Sequence, residues 1–146
     1  MALSPDDIGQ FFTGYAGAFN RALGDTPDLH AITDHFTACF IESLRDSVTC
    51  GHNGPEFINI LEKGYAYYRS IGTRRMSVTG VDSYPICDDH SVATVHWRGE
   101  YRTKEGRDVA IDFDVHYLIK AGHGRFRIFG FIAGDEQGAL RRAGVI

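Results

Sequence analysis

The apolar residues of this chain change period once, and that change constrains the fold more than any other feature. Up to about residue 72 they recur at three- and four-residue intervals; from Arg74 onward they alternate with polar ones. The stretch "SPDDIGQFFTGYAGAFNRALGD" opens with Ser4 as a helix N-cap, Pro5 at the first helical position and Asp7 where a capping-box carboxylate sits. Its apolar stripe runs through Ile8, Phe11, Phe12, Tyr15, Phe19 and Leu23 and must pack on something. "TPDLHAITDHF" repeats the start signal with Thr26 and Pro27 and predicts a short second helix, with Leu29, Ile32 and Phe36 inward. After a brief extended piece, "ACFIES", the segment "NGPEFINILEKGYAYYRSIG" reads as a third helix. It has Pro55 near its start, a stripe through Phe57, Leu61, Tyr65 and Tyr68, and Gly72 past its end.

Four strands follow, near "RMSVTGVDSYPI", "SVATVHWRGEYRT", "DVAIDFDVHYLIK" and "RFRIFGFIAG". The separators "CDDH", "KEGR" and "AGHG" are short enough to make the strands an antiparallel meander. Helices first and a long-stranded meander afterwards predict one α+β domain over residues 1–146, its sheet curling around the helical layer. "GDEQGALRRAGVI" adds a short terminal helix or tail. With 43% apolar and 23% charged residues the chain has enough material for one core.

Several functions are disfavoured. A net charge of −4 argues against nucleic acid as the main partner, because phosphate contact needs a cationic surface. No stretch is apolar enough to span a membrane, and "MALSPDDIGQF" lacks the basic start and apolar core of a signal peptide, so the expected location is the cytoplasm. Cys39, Cys50 and Cys87 form an odd, widely spaced set that reads as reduced, inert thiols. Phosphate loops, dinucleotide fingerprints, paired-histidine metal helices and nucleophile elbows are absent. His30 and His35 are poorly spaced to share a helix face, His52, His90 and His123 fall in turns, and Cys50 with His52 has no partner pair beside it. Neither a metal nor a cofactor is expected.

The strongest chemical signal is "AIDFDVHYLIK", where Asp112, Asp114 and His116 alternate with apolar residues and so share one strand face. A two-residue loop of Glu105 and Gly106 would pair Trp97 with Asp114 and set acidic and aromatic side chains on one wall. A one-residue slip would instead set Trp97 beside Val115 and turn the comb to solvent. There Asp112 and Asp114 could pair with Arg98, Arg102 or Arg127, or meet a second copy of the chain.

Helix one, in "YAGAFNRALGD", and the end of the chain, "FDVHYLIKAGHGRFRIFGFIAGDEQ", resemble the nuclear-transport-factor-2-like superfamily. That cone-shaped fold is shared with ketosteroid isomerase, scytalone dehydratase and the SnoaL-like polyketide cyclases. The resemblance implies a curved sheet wrapped around N-terminal helices, a homodimer, and a pocket for a small apolar or carbonyl-containing molecule. In ketosteroid isomerases a helix-one tyrosine and a strand aspartic acid form the oxyanion hole; here these positions fall on Tyr15 and Asp114. The base position falls on Glu42 or Ser43, and the flanking sequence does not match. Neutral His116 could also move a proton. Phe12, Trp97, Tyr101, Asp112 and Phe129 are the expected pocket walls, with packing as the alternative role of the aromatic ones. Three functions follow as expectations: cofactor-free proton transfer as isomerase, dehydratase or cyclase, ligand binding without turnover, and protein interaction through the sheet.

Overall fold

Ser4 caps the first helix as its sequence requires: its hydroxyl accepts a hydrogen bond from the Asp7 N–H at 3.1 Å, and α1 runs Pro5–Ala22. The computed structural model describes residues 3–146. The second helix, α2 (Leu29–Thr33), is shorter than the Thr26–Pro27 signal predicts, because Asp28 takes the N-cap position. "ACFIES" is more than a brief extended piece. It lies in β1 (Phe36–Ser43), which turns back into β2 (Val48–His52). Then come α3 (Pro55–Ser70), β3 (Thr73–Cys87), β4 (His90–Arg102), β5 (Asp108–Gly122), β6 (Arg125–Ala133) and α4 (Glu136–Arg142).

The strands form one six-stranded sheet in the order β2-β1-β6-β5-β4-β3, antiparallel except where β1 runs parallel to β6. The sheet is curved and unclosed. Register shifts at Thr73/Arg75, Val78/Gly80 and Pro85/Cys87 of β3, and at Leu118/Ile119 of β5, supply curvature, since an extra residue on one strand bends and twists the pair. The concave face carries Ala93, Val95, Trp97 and Tyr101 of β4 and Val115, Tyr117 and Ile119 of β5, all buried. Helix α1 lies in the concavity with Ile8 and Phe12 fully buried, and Asn20 ties it to β3 by bonding both the N–H and the carbonyl of Met76 at 2.8 Å.

The loop between β4 and β5 decides between the two facings that the sequence leaves open. Arg102 pairs with Asp108, so the connection is the five residues 103–107, closed by Thr103 N–H to the Arg107 carbonyl and Arg107 N–H to Thr103 Oγ1. Trp97 therefore faces Phe113, not Asp114. With Trp97 inward, every even-numbered residue of β5 points outward.

Candidate functional site

The comb of "AIDFDVHYLIK" lies on the convex, wet face. Asp112 accepts two hydrogen bonds from Arg98, at 2.8 and 3.1 Å, and this guanidinium holds its carboxyl below the ordinary aspartate range. Asp114 meets His96 Nδ1 at 2.6 Å while Asp82 meets His96 Nε2 at 2.8 Å, and His116 meets Thr94 at 2.8 Å. Phe129 also departs from its expected place. It is the bulged residue of β6, and its ring stands edge-on to His90, an outward residue of β4. Asp112, Asp114 and His116 therefore project from the convex face of the sheet, away from Tyr15 and the concave interior, although Asp112 and Asp114 also border a cavity at the free edge of β5.

The outer cluster still has a measurable property. Hydrogen bonds that the His96 ring donates to Asp82 and then Asp114 raise its pKa above the ordinary value. We expect an NMR titration to place the His96 midpoint above that of a free histidine, and Asp114→Asn to move it part of the way back down. A midpoint unmoved by the substitution would contradict the pairing. In linkage terms the raised pKa gives stability that is complete below the unfolded-state value and is lost as pH rises through the folded one.

Inside the sheet the chemistry is phenolic. Tyr15 projects from α1 among Phe36, Trp97 and Tyr117, with ring centroids 6.0–6.2 Å away. Tyr65 and Tyr68 come from α3, Tyr101 from β4 and Tyr117 from β5, where Tyr117 Oη accepts from Trp97 Nε1 at 3.3 Å. Burial pushes the pKa of all five upward, so each stays a neutral hydrogen-bond donor at physiological pH. Glu42 follows the buried Phe40 on the same face of β1, and desolvation raises its pKa.

The sequence reading missed the acid that this interior holds. β6 pairs with β5 only from Val115 onward, leaving the first half of β5 with a free edge, and the segment Gly134–Arg142 folds back over it. Asp135 starts α4 by accepting the Gly138 N–H at 2.9 Å and is held by Arg45, also at 2.9 Å. Leu140 is buried, which pins the helix down. Glu136 then points inward and accepts the Tyr68 hydroxyl at 2.9 and 3.1 Å on its two oxygens. Burial raises its pKa, and the Tyr68 bond offsets part of that rise. A cavity of about 260 Å³ opens here, walled by Tyr101, Phe113, Val115 and Leu140 on its apolar side and by Glu136 with Asp112, Asp114, Asp135 and Arg142 on its charged side. A larger groove of about 690 Å³ lies elsewhere, open to solvent between α2, the β1–β2 hairpin and α3, and does not contain this acid.

Residues 6–136 match the family model described as NTF2-like protein (DUF6841). The chain belongs to that family. Solved structures of NTF2-like form agree with it in fold. Aln2 from a Streptomyces species is 14% identical, with 97% of this chain and 99% of that one covered at a TM-score of 0.68. An NTF-2 like protein of unknown function from Shewanella oneidensis is 16% identical, with 89% and 98% covered at 0.66. A ketosteroid isomerase-like protein from Erwinia carotovora atroseptica is 15% identical, with 89% and 94% covered at 0.62. No curated protein matches the sequence. At these identities the neighbours establish the fold alone. Within the NTF2-like cone of this chain, Tyr15, Phe12, Trp97 and Tyr101 face inward as the resemblance implies, with Glu42 on the inward face of β1. The inward acid nearest the tyrosines of α3 is Glu136, from the C-terminal helix.

Proposed function

We propose that this NTF2-like chain binds a small, partly apolar molecule in the cavity beneath α4 and exchanges a proton with it through Glu136. The observation that carries this reading is the Glu136 carboxyl, desolvated beside a cavity that mixes apolar and charged walls and oriented by the Tyr68 hydroxyl. A carboxyl of raised pKa gives up and takes back protons nearer neutral pH than an ordinary glutamate, and such tuning is how cofactor-free proton transfer is accomplished. Tyr101, with its neutral phenol on the cavity wall, is placed to donate to an oxygen that gains charge as a C–H bond beside a carbonyl ionises. The chemistry is of the isomerase, lyase or cyclase type.

The test is hydrogen–deuterium exchange at carbon, followed by NMR, across a set of enolisable carbonyl compounds, with thermal shift reporting binding. Glu136→Gln keeps an oxygen for the Tyr68 hydroxyl and removes the proton-transfer group; exchange should fall roughly 10²–10⁴-fold while binding persists. Exchange undiminished in the variant would sink the assignment of Glu136, and binding without exchange in the wild type would make the chain a ligand-binding module. The same substitution reads out in stability. Because the folded state holds the Glu136 proton to higher pH than the unfolded state, it binds more protons between the two pKa values. Stability therefore falls as pH rises through that window. Glu136→Gln should flatten this fall and raise the melting temperature at pH 7 by a few degrees, on the order of 1 kcal/mol.

A further inference from the structure

The hairpin joining β3 and β4 turns on two residues, Asp88 and Asp89, and makes Cys87 and His90 a directly opposed cross-strand pair. Opposed residues of an antiparallel pair project to the same side, so the thiol and the imidazole meet across the turn. Cys87 Sγ lies 3.3 Å from His90 Nδ1 and 3.3 Å from Asp89 Oδ1, and His90 Nδ1 lies 2.7 Å from that same Asp89 oxygen. One sulfur, one nitrogen and one oxygen thus converge as a triangle of three potential metal-ligand atoms. The frame behind it is held in place: the Asp89 carbonyl accepts the Ala121 N–H of β5 at 2.9 Å, and the ring of Phe129 stands edge-on to His90 with centroids 5.7 Å apart.

We propose that Cys87, Asp89 and His90 form a binding site for a divalent transition metal of the zinc class. The donor set decides the class. A thiolate with an imidazole selects zinc and its neighbours, whereas magnesium and calcium take oxygen ligands only. With metal bonds of roughly 2.0–2.3 Å, donors on one tetrahedral ion sit roughly 3.3–3.6 Å apart. Both sulfur distances, at 3.3 Å, fall about 0.2 Å short of the sulfur end of that range. The Asp89–His90 contact must open by roughly 0.6 Å on the same geometry, which the exposed Asp89 side chain does by rotation. On binding, the Cys87 S–H bond breaks and its proton passes to solvent as the sulfur–metal bond forms; His90, whose Nδ1–H donates to Asp89 in the free chain, shifts its ring proton to Nε2 through solvent and gives the Nδ1 lone pair, and Asp89 gives its carboxylate. Three protein ligands leave a fourth position for water. The site lies at the tip of the β3–β4 hairpin, separate from Glu136, and stands whether or not the proton-transfer reading does.

Cobalt(II) and zinc(II) are the probes. In the full chain with Cys39→Ser and Cys50→Ser, so that Cys87 is the remaining thiol, cobalt(II) under reducing conditions should produce a thiolate-to-cobalt charge-transfer band saturating at one ion per chain. Zinc(II) should abolish the band by displacement. Adding Cys87→Ser should remove it, and adding His90→Asn should weaken binding roughly tenfold or more, each with an unchanged circular-dichroism spectrum and melting temperature. A background chain without the band, or a band that survives Cys87→Ser, would overturn the site. Equal affinity in the His90→Asn chain would do the same.

Discussion

Replacing Gly72 by alanine should destabilise the protein by about 3 kcal/mol or more, measured as the shift in urea midpoint at unchanged slope. Gly72 lies between α3 and β3 with φ of +84°, a conformation that costs an L side chain roughly 1–2 kcal/mol. The space is closed as well: a Cβ there would overlap the carbonyl oxygen of Arg102, whose N–H donates to the Gly72 carbonyl at 2.8 Å. That oxygen belongs to backbone, so relief requires moving the end of β4 and with it the Thr73–Tyr101 pairing. Gly124 is the control. It has φ of +73° and open space where a methyl group would stand, so Gly124→Ala should cost only the conformational part, about 1 kcal/mol. Equal effects of the two substitutions would show that the Arg102 contact carries no weight.

Arg102 is also where local signals stop being sufficient. Ser4, Pro55, the stripe of α1 and the alternation of β4 are legible because each rests on neighbours within a turn or a pleat. The facing of the acidic comb rests instead on whether the β4–β5 loop holds an even or an odd number of residues. "KEGR" with Gly106 suits a two-residue turn, but the Thr103 hydroxyl closes a five-residue loop at Arg107 and flips every side chain of β5. The parallel seat of β1 beside β6 is hidden for a related reason, since parallel pairing between distant segments leaves no short-range turn signal. Glu136 is the clearest loss. It meets Tyr68 across 68 positions of sequence, and only the free edge of β5 explains why α4 folds back there. Asp135 as a cap one residue before Glu136, with Leu140 one turn on, was the available clue. The pairing of Cys87 with His90 across "CDDH" was open to the same hairpin reasoning that placed the turn.

Phe12→Ala should cost about 3–5 kcal/mol and roughly 10 °C in melting temperature, because the ring is fully buried and its neighbours are anchored from several elements. Its centroid lies 4.7 Å from Tyr117 and 5.1 Å from Phe11, with Tyr15 at 6.3 Å, so α1 and β5 meet through this side chain. Collapse into the vacated space is opposed on both sides: Tyr117 Oη is tethered to Trp97 Nε1, and α1 is tied to β3 through Asn20. A residual cavity in such surroundings is apolar along most of its wall and takes up small apolar molecules. The substitution therefore separates packing from function. A small aromatic compound should raise the melting temperature of Phe12→Ala while leaving the wild type unmoved, and Phe12→Leu should fall between the two in stability. If the aromatic compound fails to stabilise Phe12→Ala, the core has closed over the gap. If it stabilises both chains equally, it is bound at a site that Phe12 does not fill, and the cavity beside Glu136 is the first place to look for it.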